Sequence, residues 1–226
     1  MNILALDTST THAALALARS DGLIFTSQSD PKIRHGRALV ASIRDLLVRA
    51  GLSTGDLNLL AVGLGPGSYT GLRIGLAAAK TLAYVLKAPL VGIDSLEVIA
   101  RNAPSDSERV SVIADAQRGE LYTADFVREP GNKPLQRATP TRTEPIPAWL
   151  ARLMPGTFVV GPGIERLKEP LPPTVTAADA SLAYPAGHHL LALAQEAFLR
   201  GQRDDPWLLE PLYLRRSAAE EKWDKK

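Results

Sequence analysis

Two short, uniformly apolar runs, residues 59–64 and 90–93, flank a glycine-rich turn and a stretch with helical period. A strand with no polar face is buried on both sides, and the usual setting for that is a parallel sheet covered above and below. Strand, helix over about 71–86, and strand again make a βαβ unit, whose crossover is right-handed. The chain ahead of it reads differently. Residues 2–6 form an apolar run that stops at Asp7-Thr8-Ser9, residues 12–18 are apolar again, and Arg19-Ser20-Asp21-Gly22 signals a tight turn before Leu23-Ile24-Phe25-Thr26. Three strands in a meander joined to a βαβ unit predict a mixed sheet. Between them lies an amphipathic helix over about 35–50, with Leu39, Val40, Ile43, Leu46, Leu47 and Ala50 on one side and Gly51 placed to cap it.

The pattern then restarts. Residues 110–114 are an apolar strand ending in Asp115, followed by the turn Ala116-Gln117-Arg118-Gly119 and an outgoing strand over 120–127. Strand, Asp, polar turn and strand repeat the arrangement at Asp7, so the second half reads as a diverged copy of the first. This predicts an α/β chain of two lobes, 1–100 and 101–226, each with a mixed sheet flanked by helices. Ten of the 17 prolines fall in residues 130–173, which limits that stretch to short elements and loops. A helix returns at about 185–200, free to pack back on the first lobe, and the polar tail 218–226 is expected to fray.

Composition removes several chemistries. There is no Cys, which excludes a thiolate nucleophile and any Cys-based zinc site. The four histidines form no His-x-x-x-His or His-Glu-x-x-His pair, and no Gly-x-Ser-x-Gly elbow is present. The net charge of +2, with 18 Arg and 8 Lys spread along the chain, gives no polyanion-binding footprint. No apolar run approaches the roughly eighteen residues of a membrane span. Asp7 comes too early for a signal-peptide core. A soluble, cytoplasmic protein is expected.

What remains is turn chemistry. Asp7-Thr8-Ser9 at the end of a first strand is how actin-like and sugar-kinase folds present a phosphate loop, and it is equally an ordinary turn whose side chains cap backbone groups. The second copy carries Asp115-Ala116-Gln117-Arg118, with bulk where a phosphate loop needs Gly, and Gly161-Pro162-Gly163 is only a weak adenosine-loop candidate. Gly65, Pro66, Gly67, Ser68, Tyr69, Thr70 and Gly71 open a helix and could form an anion loop. The spacing is not that of a P-loop, and a rigid structural turn with Ser68 or Thr70 as cap is favoured. The helix after it has an apolar arc of about 200°, where one core needs about 100° or slightly more. Gly71, Gly75 and Ala79 recur every fourth residue, which admits the close approach of another helix. That arc is either buried between two layers of its own lobe or a subunit interface. Glu120, Tyr122 and Asp125 on one strand read as a solvent face.

Four segments are familiar together: Ile3-Leu4-Ala5-Leu6-Asp7-Thr8-Ser9; Gly65-Pro66-Gly67-Ser68-Tyr69-Thr70-Gly71-Leu72-Arg73-Ile74-Gly75; Asp115-Ala116-Gln117-Arg118-Gly119-Glu120-Leu121-Tyr122; and Pro211-Leu212-Tyr213-Leu214-Arg215. In this order the chain resembles the TsaB (YeaZ) family, a bacterial subunit of the machinery that makes threonylcarbamoyladenosine in tRNA. Tyr69 stands where Phe is commoner in that family. The resemblance implies an actin-like (RNase H-like, ASKHA) fold that has lost its nucleotide site, leaving Asp7, Thr8 and Ser9 vestigial, with no catalytic residue, cofactor or metal of its own. It implies a scaffold role for a catalytic paralogue, TsaD, with the ATPase TsaE as third member, tRNA met only through the complex, and a homodimer when alone. It places the seam on the helices at about 35–50 and 71–86, which points to Leu39, Ile43, Leu72, Gly75, Leu76, Ala79, Leu82 and Ala83 as interface residues. The other classes open to this sequence are an actin-like kinase or ATPase using Asp7 and Asp115, and a peptidase, against which the missing His pair argues.

Overall fold

Strands apolar on both faces need two covers, and the computed structural model, which describes residues 1–28, 35–129 and 133–215, supplies both. The chain divides into two units, Met1–Val98 with Tyr184–Pro211, and Ile99–Ala183 with Leu212–Lys226. In the first, β1 (Ile3–Asp7), β2 (Ala14–Ala18), β3 (Ile24–Gln28), β4 (Leu59–Gly63) and β5 (Leu90–Ile93) lie in the order β3-β2-β1-β4-β5. The meander β1–β3 is antiparallel, while β4 pairs parallel with both β1 and β5, which is the mixed sheet the sequence predicts. Alternation within each strand divides the core. Leu4, Leu6, Leu60 and Val62 face α1 (His35–Ala50) and α2 (Tyr69–Leu86), whereas Ile3, Ala5, Leu59 and Ala61 face α5 (Gly187–Leu199). Gly51 ends α1 in the left-handed conformation at φ +66°, and Leu52 N–H donates to Leu47 O at 2.9 Å.

The expected interface residues require correction. Leu39, Ile43, Leu72, Leu76, Ala79 and Ala83 are buried within this lobe, and Leu82 is half-buried against the same core. Gly75 is buried too, and what approaches it is Thr8, described below. A wheel shows that an arc is apolar, but not whether its far edge meets its own chain or another. Here most of the arc meets the lobe's own sheet. The solvent side of the two helices carries Val40, Val48, Tyr84 and Val85 instead.

The second unit holds β6 (Arg109–Gln117), β7 (Glu120–Val127), β8 (Gln136–Arg137), β9 (Arg142–Pro145), β10 (Thr157–Val160) and β11 (Thr176–Ala177) in the order β11-β10-β6-β7-β8, with β9 also on β7. The β6–β7 hairpin is the long element, and after residue 130 the strands shrink to two to four residues, as the prolines require. Helix α4 (Ile146–Ala151) lays Trp149 against Ile113, Leu121 and Val159. The short α3 (Ser95–Ala100) follows β5. The tail 218–226 lies outside the described residues.

Asp125 is a second correction. Strand parity puts it with Leu121 and Thr123, opposite Glu120 and Tyr122, and so under α4 rather than in solvent. Its carboxylate accepts from Ser111 Oγ (2.7 Å) and Arg152 Nη1 (2.7 Å), and Trp149 Nε1 donates to Ser111 Oγ at 3.1 Å. Arg152 also forks onto Glu144, to which Thr123 Oγ1 donates. Burial works to raise the Glu144 carboxyl, but the hydrogen bonds from Arg152 and Thr123 and the charges of Arg152 and Arg142 outweigh it and hold it below its ordinary value.

Two predictions follow from this packing. Ala79→Arg forces a charge into a closed core, so it should unfold the first lobe, losing the cooperative thermal transition seen by circular dichroism. Glu144 titrates lower folded than unfolded, so its stabilisation is complete above the ordinary value of 4.5 and disappears as the pH falls through the folded value. The melting deficit of Glu144→Gln relative to wild type should therefore be present at neutral pH and shrink progressively below about pH 4.5.

Candidate functional site

In an α/β sheet the carboxyl ends of parallel strands are where loops converge. Here β1, β4 and β5 are parallel neighbours, so the turns after Asp7, Gly63 and Ile93 meet at one edge of the first lobe. Asp7 is fully buried. Its Oδ1 accepts from Ser9 N–H at 2.8 Å and its Oδ2 from Ser95 Oγ at 2.6 Å. Ser95 Oγ in turn accepts from Gly65 N–H at 3.0 Å, and Ser95 N–H donates to Gly65 O at 2.8 Å. One carboxylate thereby joins all three turns.

The glycine-rich loop closes over this centre. Ser68 N–H donates to Ser9 O at 2.7 Å, and Thr8 Oγ1 donates to Gly71 O at 2.7 Å. Ser68 is the cap of α2, accepting from Gly71 N–H at 3.2 Å, while Thr70 lies exposed in the first turn. The Gly65–Pro66 peptide is cis, and Pro66 is buried. The recurrence at every fourth residue serves the Thr8–Ser9 turn. A Cβ on Gly67 would stand 2.1 Å from Ser9 O, one on Gly71 2.1 Å from Thr8 O, and one on Gly75 2.2 Å from Thr8 Oγ1. Overlaps that close with backbone oxygen leave no residue but glycine at 67 and 71.

Chemically the arrangement is satisfied from within at all but one polar atom. Thr8 Oγ1, Ser9 N–H and both Asp7 oxygens, the groups that would cradle phosphate and hold metal-bound water, are bonded within the lobe. Ser9 Oγ is buried with no hydrogen-bond partner. In the second unit Asp115 Oδ1 accepts from Gln117 N–H (2.7 Å) and Oδ2 pairs with Arg166 Nε (2.8 Å). Gln117 and Arg118 occupy the left-handed region at φ 64° and 54°, a conformation glycine would take without strain. A cavity of about 780 Å³ beside this turn has an apolar floor that includes Ile146 and Leu150, and its lining cations and carboxylates are equal in number, so it shows no preference for an anion. Among the described residues no cluster of three or more His, Asp or Glu side chains could hold a metal, and no helix is long and apolar enough to cross a membrane.

Sequence reasoning missed one residue and gave another no role. Ser95, the second partner of Asp7, follows a buried strand just as Asp7 does, and that third strand end was the available signal. Arg215, the last residue of the segment Pro211-Leu212-Tyr213-Leu214-Arg215, donates to Ala116 O at 2.6 Å and pairs with Glu120 at 3.5 Å, which ties it to the β6–β7 turn.

The fold and the site define an α/β protein of two units, each built on a mixed sheet, whose glycine-rich loop is closed over the turn at Asp7. Residues 29–157 match the family model of TsaD, tRNA N6-adenosine threonylcarbamoyltransferase. Over nearly their full lengths the chain is 32% identical to the tRNA threonylcarbamoyladenosine biosynthesis protein TsaB of Bacillus subtilis (99% of this chain, 98% of that one) and 30% identical to that of Escherichia coli (97% and 96%). YeaZ from Pseudomonas aeruginosa superposes with a TM-score of 0.78 at 28% identity, covering 94% of this chain and 99% of its own. The chain belongs to the TsaB (YeaZ) family.

The interlock makes a direct prediction. Gly71→Ala drives a methyl group into Thr8 O and should cost about 1–3 kcal/mol, several degrees of melting temperature in a lobe of this size. Gly55→Ala, whose added Cβ meets nothing nearer than 3.7 Å, should melt close to wild type in the same scan.

Proposed function

We propose that this chain is a non-catalytic subunit that binds a TsaD-type threonylcarbamoyltransferase and holds it in its active arrangement for forming N6-threonylcarbamoyladenosine in tRNA beside the anticodon. Family membership supports the pathway, since the Bacillus and Escherichia relatives are named for threonylcarbamoyladenosine biosynthesis. The observation that carries the non-catalytic reading is Asp7. A carboxylate with no exposed surface, each of whose oxygens already accepts from the chain itself, Oδ1 from Ser9 N–H and Oδ2 from Ser95 Oγ, is closed off from solvent and presents no open face to a metal-bound water. Without a free acid in that loop, an actin-like kinase or ATPase mechanism has no starting point.

On this reading the partner meets the solvent side of α1 and α2, where Val40, Val48, Tyr84 and Val85 stand exposed. The exposed charges there are mostly basic: Arg44, Arg49 and Arg73 against Asp45, with Lys80 half-buried beside them. The chain alone pairs with its own copy through the same face. That sets cations against cations, so the homodimer gives way to a partner of opposite charge. A TsaE-type ATPase joins as third member, tRNA is held through the complex, no cofactor belongs to this chain, and the assembly works in the cytoplasm.

Val85 is 68% exposed, so Val85→Arg should leave circular dichroism and melting near wild type. It should weaken binding to the TsaD-type chain at least tenfold and fail to restore tRNA modification in cells lacking the native copy. Modification that proceeds without this chain, or ATP turnover by the isolated chain that vanishes in Asp7→Ala, would refute the scaffold reading.

A further inference from the structure

The segment that follows α5 is built firmly and then presents its largest side chains to solvent. Asp204 N–H donates to Leu90 O (2.9 Å), and Asp204 Oδ2 accepts from Gly92 N–H (2.7 Å) and Gln202 Nε2 (2.8 Å), which stitches residues 202–204 to the edge strand β5. Asp205 then caps a turn, its Oδ1 accepting from Trp207 N–H (2.8 Å) and its carbonyl from Leu209 N–H (2.9 Å), and the half-buried Leu209 packs against the core that α1 and α2 cover. The backbone on both sides of Trp207 is thus fixed, yet Trp207 is 75% and Leu208 77% exposed. Trp207 stands edge-on to Tyr84 of α2, ring centroids 5.3 Å apart at 74°, and Tyr84 is itself 63% exposed.

An indole held in place but uncovered is the usual form of an interface anchor. It contributes a large apolar area and loses little entropy on binding. Its surroundings describe what it fits. Helix α2 contains no acidic residue and carries Lys80 one turn before Tyr84, with Val85 beside Tyr84; Lys87 caps the helix in the left-handed conformation. The exposed Asp205 and Glu210 lie within three residues of Trp207. A partner with an apolar ridge that sets carboxylates toward the α2 side and a cation toward Asp205 and Glu210 is complementary in both area and charge. A nucleic acid matches less well, because base stacking wants a parallel ring face and has no use for Val85 and Leu208.

We propose that Tyr84 and Trp207 form an aromatic anchor, extending the solvent face of α2 onto residues 202–209, that receives an apolar ridge of the TsaD-type partner bearing carboxylates on the α2 side. This rests on the partner reading above. The test is calorimetric titration of wild type, Trp207→Ala and Tyr84→Ala with the TsaD-type chain, together with hydrogen exchange of residues 202–209 with and without it. Trp207→Ala should weaken binding roughly thirtyfold with melting near wild type, and residues 205–209 should gain protection in the wild-type complex. Affinity within twofold of wild type, with unchanged exchange, would overturn the anchor. If Val85→Arg abolishes binding in that case, the partner reading stands and only the anchor falls; if the wild-type chain fails to bind at all, both fall. A Trp207→Ala complex that keeps its partner affinity but loses tRNA would reassign the surface to nucleic acid and overturn the proposal. Should Trp207→Ala melt early, Lys80→Glu with Lys87→Glu takes its place, and undiminished partner affinity in that variant is the overturning result.

Discussion

A buried carboxylate governs the first lobe. Asp7 sits at the end of the central strand β1, where a carboxyl group out of water is tolerable only if its oxygens are hydrogen-bonded. Here the donors are Ser9 N–H and Ser95 Oγ, both from the chain itself. That choice has consequences for the neighbours. Ser95 must reach across the end of β4, so Gly63 has no side chain, because a Cβ there would lie 2.0 Å from Asp7 Oδ2. The glycine-rich loop must come down over Thr8 and Ser9, and its close approach fixes where α2 begins and how it runs over the sheet.

This also accounts for the excess apolar surface of α2. One side of the helix packs on β1 and β4, and its first two turns pack on the Thr8–Ser9 loop, so more of the circumference is enclosed than a helix on a plain sheet would need. The wheel showed the breadth of that arc correctly. It could not show that Gly71 and Gly75 make room for a loop sixty residues earlier, because a small-residue stripe records a close approach and not what approaches. The same ambiguity placed Ala79 in an interface. Strand parity was more informative: the alternation in β1 and β4 separates the two cores residue by residue, and applied to Asp125 it distinguishes the covered face from the open one.

The βαβ unit, the meander and the hairpin at Asp115 were legible because each is set by contiguous apolar runs and turn residues. The strands after residue 130 were not. Gln136–Arg137 and Thr176–Ala177 are too short and too polar to carry a period, and they exist because β7 and β10 offer edges to pair with. The Arg152–Glu144–Asp125 network was equally hidden. Its members are scattered over twenty-seven residues and come together only when α4 folds across β7 and β9. In the candidate site, Asp7, Thr8, Ser9 and the loop 65–71 were visible as turn formers, whereas Ser95 required knowing that β5 lies beside β4.

The first lobe's sheet has a second face, and among the described residues of 1–98 nothing covers it fully. Ile3, Ala5, Ala16, Leu59, Ala61 and Val91 point that way, and what packs on them is Leu190, Leu191, Leu193, Ala194 and Ala197 of α5. The returning helix is itself tied down by its continuation, since Asp204 and Gln202 bond to the backbone of β5. Five apolar strands stripped of α5 would expose a broad greasy face, so the lobe is completed only when the chain has passed through the other unit and come back. The two halves of the Asp7 centre depend on that completion. Ser95 follows β5, the strand that both α5 and residues 202–204 hold in register beside β4. The carboxylate that closes the phosphate-type loop is therefore satisfied by a residue whose own position is secured more than a hundred residues later in the sequence.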